Sequence, residues 1–181
     1  MVFCKEARLL ENKGVIKQEK LMKVLSLQEV TRENWRATLD LTVFPEQQRF
    51  IADYVPIAAI GLAKAYIRPG GLVWVPYVFY ANDEMVGFTE LAYEPGSMED
   101  YWIFHFFIDQ RYQRLGYGKG GLHIFLQFIK DHHPQCQAIQ LTVHPENDHA
   151  KHLYTSAGFL PTGTELSDEP IYKLLFSLEE R

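Results

Sequence analysis

Cysteine is nearly absent from this chain: among 181 residues only Cys4 and Cys136 carry a thiol. Two cysteines so far apart make neither a disulfide framework nor a regular metal set, so both are expected as free thiols. Long apolar runs are missing too, since no window approaches the roughly 20 residues of a membrane-spanning helix. The N-terminal stretch is charged where a secretory signal would be apolar, and the default expectation is a cytoplasmic protein. Basic charge is scarce as well. Eighteen Lys and Arg stand against 23 Asp and Glu, a formal charge of −5, which argues against a general nucleic-acid role and mildly favours cationic ligands by long-range attraction. Repeats and low-complexity segments are absent. No metal is expected: His144, His149 and His152 are close in sequence, but no acid or cysteine completes a regular ligand set, and solvated helix positions account for them.

What is present is one apolar core's worth of chain, 47% hydrophobic. Residues 1–21 are charged and aperiodic and are expected to form an extension; residues 22–181 are expected to form a single domain, with Met22 either a second start or an ordinary internal Met. The first strand is predicted over Lys23 to Leu27. Thr31, followed by Asn34 and the apolar spacing Trp35, Leu39, Val43, predicts a helix with Thr31 as N-cap. Glu46 to Ile67 predicts a second helical region, which Pro56 must split or kink. Val75 to Tyr80 and Glu84 to Tyr93, joined by Asn82-Asp83, read as a β-hairpin. Then follow a strand over Tyr101 to Ile108, a helix over Lys119 to His132, a strand over Ala138 to Val143, a helix beginning at Asn147, and two strands over Phe159 to Thr164 and Ile171 to Leu178. His132 and His133 fall at a helix C-terminus, where a cation complements the dipole.

The most informative segment is Gln113-Arg114-Leu115-Gly116-Tyr117-Gly118. A strand precedes it and a helix follows. Glycine removes the Cβ that would block close approach, and a helix N-terminus offers free N–H groups, so the segment is expected to hold a phosphate. Gly116, Gly118 and Gly121 also satisfy the G-x-G-x-x-G dinucleotide fingerprint. In that fold, however, the strand runs almost straight into the first glycine and an acid closes the next strand, whereas here Asp109 to Arg114 intervenes and the next strand ends in Thr142, Val143 and His144. A Walker loop is excluded because Lys119 is followed by Gly120 instead of Ser or Thr.

Q-x-x-G-x-G between a strand and a helix resembles the acetyl-CoA loop of the GNAT N-acetyltransferase superfamily. Val143-His144-Pro145-Glu146-Asn147, Ala150 and Leu153-Tyr154-Thr155-Ser156-Ala157-Gly158-Phe159 resemble that superfamily's later motif. The similarity spans about residues 22–178. Within it, Phe44-Pro45-Glu46-Gln47-Gln48-Arg49-Phe50-Ile51, Leu62-Ala63-Lys64-Ala65-Tyr66, Met85-Val86-Gly87-Phe88, Phe106-Phe107-Ile108-Asp109 and Glu169-Pro170-Ile171-Tyr172-Lys173-Leu174 look like bacterial polyamine or diamine acetyltransferases. The resemblance implies an α/β (α+β) fold, a mixed, mostly antiparallel sheet flanked by helices, with a splayed strand pair at the cofactor site. It implies acetyl-CoA as cofactor, a small amine as partner, direct transfer in a ternary complex, and allows a homodimer. Acetylation of a protein N-terminus or lysine, or a non-catalytic CoA-binding module, are the alternatives.

Acetyl transfer from a thioester needs a neutral amine, a stabilised carbonyl oxygen, a protonated leaving sulfur and aligned reactants. By resemblance, backbone groups of Phe106 face the acyl carbonyl and those of Ile108 the pantetheine. Amides of Leu115, Gly116, Gly118 and Lys119, with Tyr117 in the same turn, receive the pyrophosphate between Gln113 and Arg114. Tyr154 matches the general acid, and Asn147 is a helix cap, a cofactor contact, or both. The general base is open. Some polyamine acetyltransferases use an acid at the position of Phe104, which cannot serve. His105 is adjacent, but strand alternation turns it to the face opposite Phe104 and Phe106. Glu90 on the neighbouring strand is the other candidate, directly or through water, a water chain being the alternative to any base, and Glu46, Asp53 and Glu90 are candidates to line a pocket for a cationic substrate.

Overall fold

The computed structural model describes residues 24–52 and 56–176; the expectations for residues 1–21, Cys4, Met22, Lys23, Asp53 and Leu178 lie outside these. The strands are β1 (Leu25–Glu29), β2 (Val73–Ala81), β3 (Glu84–Tyr93), β4 (Tyr101–Ile108), β5 (Ala138–Thr142), β6 (Leu160–Leu166) and β7 (Glu169–Leu175). They form one seven-stranded sheet in the order β1-β2-β3-β4-β5-β7-β6. Every pairing is antiparallel except β4 with β5, which is parallel. The β2–β3 hairpin closes at Ala81↔Glu84, with Asn82 in the left-handed region at φ 57°, a conformation Asn tolerates better than most side chains.

Helices cover both faces, and the strands' alternation sorts their side chains between them. On one face, Tyr77, Phe79, Leu91, Tyr101 and Ile103 pack against Leu122, Phe125 and Ile129 of α4 (Tyr117–His132). On the other, Val78, Phe88 and Phe107 pack against Ile57 and Ala58 of α3 (Ile57–Ile67) and against Leu41 and Val43. Phe125, Ile129, Ile57, Phe79 and Phe88 are fully buried, each contributing roughly 1.5–3 kcal/mol of apolar burial. Close approach at the centre requires glycine: a Cβ on Gly87 would lie 2.6 Å from the Phe107 carbonyl oxygen of β4. Cys136 is buried, and its thiol donates to the Ala138 carbonyl at 3.3 Å.

Two sequence expectations change here, the helix from Thr31 and the cation at His133, and the split at Pro56 holds. The helix predicted from Thr31 through Val43 shrinks to one turn, α1 (Trp35–Thr38), with Asn34 as N-cap residue. The Thr38 hydroxyl donates to the Trp35 carbonyl at 2.6 Å, and the N–H groups of Leu39, Asp40 and Leu41 bond three residues back instead of four, so the turn tightens and stops. Leu41 and Val43 then reach the core as extended chain. The region Glu46 to Ile67 divides into α2 (Pro45–Gln48) and α3, with Pro45 in the first turn of one and Pro56 as the N-cap residue of the other, where a missing N–H costs least. At the end of α4, His133 is half-buried against Tyr93, Tyr101 and Phe128; burial and then neighbouring His132 push its pKa down, so it does not supply the dipole-complementing cation expected there.

Asp109, fully buried at the end of β4, joins the chain's first third to the glycine loop. Its carboxylate accepts from the Thr42 N–H at 2.9 Å, the Arg111 N–H at 2.9 Å, and Arg111 Nε at 2.7 Å. Burial alone raises a carboxyl pKa, but the Arg111 guanidinium and the two backbone donors outweigh it and hold Asp109 below the usual range. A depressed folded-state pKa stabilises the protein above the unfolded value, about 3.9, and that contribution disappears as pH falls through the folded value. Asp109→Asn is therefore expected to cost about 1–3 kcal/mol in urea unfolding at pH 7, with the gap from the parent narrowing below about pH 4. An unchanged midpoint at pH 7 would remove Asp109 from this role.

Candidate active site

The site begins where two neighbouring strands part. β4 and β5 share a single register pair, Trp102↔Gln140, and beyond it the residues Ile103 to Ile108 and Leu141 to His144 form opposite walls of one cleft. This is the splayed pair that the resemblance implied. The cleft measures about 1010 Å³ and is completed by α2, the glycine loop, and α5 (Asp148–Ser156). Its outer end is strapped by Arg49, whose guanidinium sits 4.6 Å over the Phe50 ring and 2.8 Å from the Glu146 carboxylate.

The glycine loop opens into α4. Arg114 and Gly116 both take left-handed conformations, φ 61° and 84°, and Gly116 is the N-cap residue. The first backbone bond of the helix runs from the Gly120 N–H to the Gly116 oxygen at 3.1 Å, so the N–H groups of Tyr117, Gly118 and Lys119 precede the helical ladder. No atom lies within 4 Å of a Cβ built on Gly116, which leaves the mouth of this cradle clear for a phosphate. Gln113, Arg114, Gly116, Gly118 and Lys119 all line the cleft. The side chains of Leu115 and Tyr117 do not: Leu115 is 61% exposed and Tyr117 packs on the core, leaving only their backbones to contribute. Gln113 is tied by its side chain, exchanging hydrogen bonds of 2.8 and 3.0 Å with Gln47 and donating to the Ile108 carbonyl at 3.0 Å. Gln47 is a positioning residue that lay inside the quoted Phe44–Ile51 segment without being singled out.

Tyr154 reaches the cleft from α5, its ring edge-on to Phe106 at 6.3 Å and to Phe159 at 5.8 Å. Burial pushes its phenol pKa far up, so the group stays protonated at neutral pH. Asn147 caps α5, its side-chain oxygen accepting from the Ala150 N–H at 3.1 Å, and it also lines the cleft. His144, His149 and His152 are on the wall as well; His144 packs on Phe50 and accepts from the Glu146 N–H at 3.1 Å.

The strand alternation assumed for His105 does not hold. Glu90 pairs with Phe104 but Phe88 pairs with Phe107, so two residues of β4, His105 and Phe106, stand opposite Thr89 alone. This is a β-bulge, and His105 adopts φ 46° within it. Its effect is to reverse the strand's phase. Tyr101 and Ile103 face α4 before the bulge, Phe106 and Ile108 after it. His105 thereby joins the face of Phe104 and Glu90, and its Nδ1 lies 2.5 Å from Glu90 Oε2. Glu90 itself is fully buried behind the histidine and does not line the cleft. Nor does Glu46, so these two do not form the expected acidic lining for a cationic substrate, and Asp53 is outside the described residues. The acids on the wall are instead Glu146, Asp148 and Glu169, which only the fold brings together.

Residues 27–159 match the Acetyltransferase (GNAT) family. The chain is 31% identical over 140 residues to the spermine/spermidine N(1)-acetyltransferase of Bacillus subtilis strain 168, covering 75% of this chain and 87% of that one. Among solved structures it resembles the spermidine N-acetyltransferase of Vibrio cholerae in complex with CoA and spermine, with a TM-score of 0.65 at 16% identity over 83% of this chain and 95% of the other. It also resembles the ribosomal-protein-S18-alanine N-acetyltransferase of Escherichia coli, with a TM-score of 0.61 at 19% identity over 86% and 96%. With its splayed strands, amide cradle and matched span in agreement, the chain belongs to the GNAT acetyltransferase family and is an N-acetyltransferase that uses acetyl-CoA.

Proposed function

We propose that this enzyme transfers the acetyl group of acetyl-CoA to a primary amine of a small polyamine or diamine, by direct attack with both substrates bound. The observation that carries this reading is the 31% identity to an enzyme named for spermine and spermidine, extending over 87% of that enzyme's length. Of the acids on the cleft wall Glu146 and Asp148 are paired with Arg49 and Lys151, so Glu169 and the overall negative charge are what support a cationic acceptor.

Each residue's task follows from its position. The loop amides from Leu115 to Lys119 receive the pyrophosphate, Arg114 adds charge, and Gln113 holds the loop to β4. Backbone groups of Phe106 and Ile108, freed from any β5 partner by the splay, are available to the acyl carbonyl and the pantetheine arm. Tyr154 donates a proton to the departing sulfur. Asn147 holds the first turn of the helix that carries Tyr154.

Gly118→Asp tests the cradle. The nearest atom to a Cβ there is Leu153 Cδ2 at 3.9 Å, and an acid in a helix's first turn favours the helix, so the variant should fold. Its affinity for acetyl-CoA, measured by calorimetry, should fall by tenfold or more through repulsion of the pyrophosphate; unchanged affinity would displace the site from this loop. Tyr154→Phe keeps the ring contacts and deletes the donor. Thiol release should drop by about 10²- to 10⁴-fold with the melting curve and acetyl-CoA affinity preserved, whereas a loss of only a few-fold would leave Tyr154 a packing residue. The acceptor is tested by comparing spermidine, simple diamines and a lysine-bearing peptide at equal amine concentration. Spermidine or a diamine should give the highest kcat/KM, and the reverse ranking would move the function to protein acetylation.

A further inference from the structure

At neutral pH an alkylamine is almost entirely an ammonium ion, its ordinary pKa being about 10.4, and an ammonium cannot attack a thioester. A proton acceptor is needed where the amine nitrogen meets the acetyl group. Phe104 cannot provide one, and the carboxylates on the cleft wall include two already engaged at its outer side, Glu146 with Arg49 and Asp148 with Lys151. One wall residue combines a free basic nitrogen with a buried charge behind it. His105 lies on β4 beside Phe106, whose ring meets that of Tyr154.

We propose that His105 is the general base of this enzyme and that Glu90 is its positioning residue, the two forming a dyad assembled by the β4 bulge. Three features carry it. First, Glu90 Oε2 lies 2.5 Å from His105 Nδ1, while Nε2 has no partner among the described residues and His105 lines the cleft. A carboxylate on Nδ1 holds the proton there and leaves Nε2 as acceptor, the arrangement that orients catalytic imidazoles elsewhere. Second, Glu90 is fully buried, and its Oε1 is the one buried side-chain polar atom without a hydrogen bond among the described residues. A carboxylate kept at that cost gains most from a partner that becomes positive. Third, the surroundings leave space for it: a Cβ on Gly61 of α3 would come within 2.8 Å of Oε1, so only glycine lets the helix pack over this acid. Among the described residues, the further charged group facing the dyad is Lys64, also on α3, whose ammonium lies 4.8 Å over Trp74 and 5.0 Å over Phe104 and interacts electrostatically with Glu90.

The balance of the step is simple. The ammonium gives one proton to His105 Nε2, which releases it to solvent after turnover. The nitrogen lone pair forms the N–C bond, the C–S bond breaks, and the sulfur takes a proton from Tyr154. The second amine proton restores the phenol. The products are the N-acetyl amine, CoA thiol and one proton. This deepens the amine-acetylation reading and rests on it, but it requires only that the acceptor arrive as an ammonium ion, whichever amine that is.

His105→Asn and Glu90→Gln test the dyad. Asn tolerates the positive φ of the bulge, and Gln preserves the shape of the buried acid, so both variants should melt close to the parent. At pH 7 His105→Asn should lose about 10²- to 10⁴-fold in kcat while KM for acetyl-CoA is unchanged. The deficit should shrink steadily between about pH 8 and pH 10, where the amine deprotonates unaided. Glu90→Gln should lower kcat by tenfold or more and leave KM for the amine near the parent value. A His105→Asn enzyme within threefold of the parent, or one whose deficit is independent of pH, overturns the base assignment. A Glu90→Gln enzyme with raised amine KM and intact kcat makes Glu90 a substrate-attracting charge instead. If the parent prefers the lysine peptide to spermidine, the substrate reading fails alone, and the same comparison made with the peptide still decides the dyad.

Discussion

Strand β4 has a full antiparallel partner on one side and almost none on the other. Its bonds to β3 fix its position in the sheet, while its ladder pairing with β5 is reduced to Trp102↔Gln140. A central strand without a partner leaves backbone N–H and C=O groups that are costly to bury unsatisfied, and here they face a cleft where a ligand can meet them. The glycine loop begins where this strand ends, and the helix bearing Tyr154 follows the strand on the opposite wall. Cleft, cradle and proton donor thus depend on one missing run of hydrogen bonds.

The same strand also needs to serve two hydrophobic layers. An uninterrupted β4 would send Phe106 and Ile108 to the α3 side and Phe107 to the α4 side. The bulge at His105 inverts that order, so that Phe107 meets Phe88 and Phe106 meets Phe79 and Tyr154. One extra residue sets the packing of the strand's second half and swings an imidazole onto a buried carboxylate. Gly87 and Gly61 are the two places where this arrangement demands the smallest residue: one lets the strands approach, the other lets α3 lie over Glu90.

Buried charge is concentrated in two places and handled differently in each. Asp109 is saturated with donors from Thr42 and Arg111, and its task is to bind the segment after α1 to the entry of the cofactor loop. Among the described residues Glu90 has one hydrogen-bond partner, His105, and one orphan oxygen, and the apolar ring of Phe88 and the bare Gly61 beside it make that orphan costly. A saturated carboxylate fastens structure; a half-satisfied one is poised toward the charge of its neighbour.

The sequence alone was enough to determine what depends on neighbours in the chain. The hairpin at Asn82-Asp83, the run of strand β4, the apolar spacing of Leu122, Phe125 and Ile129, the Asn147 cap and the glycine loop all rest on contacts a few residues long, and each was legible. So was Pro56 as a boundary between helices. Where a local signal was overruled, as in the helix expected through Val43, the competing bonds were a Thr38 hydroxyl and an Asp109 carboxylate 67 residues from Thr42. What only the tertiary structure decided are the contacts between distant segments: Glu90 with His105, 15 residues apart, Gln47 with Gln113, 66 apart, and the gathering of Glu146, Asp148 and Glu169 around one cleft. A period of two predicts which face a side chain takes only while the register is unbroken. The register of β4 is set by β3, by the need of each layer for its own phenylalanines, and by a bulge whose single unusual φ falls on a residue that carries no local signal for it.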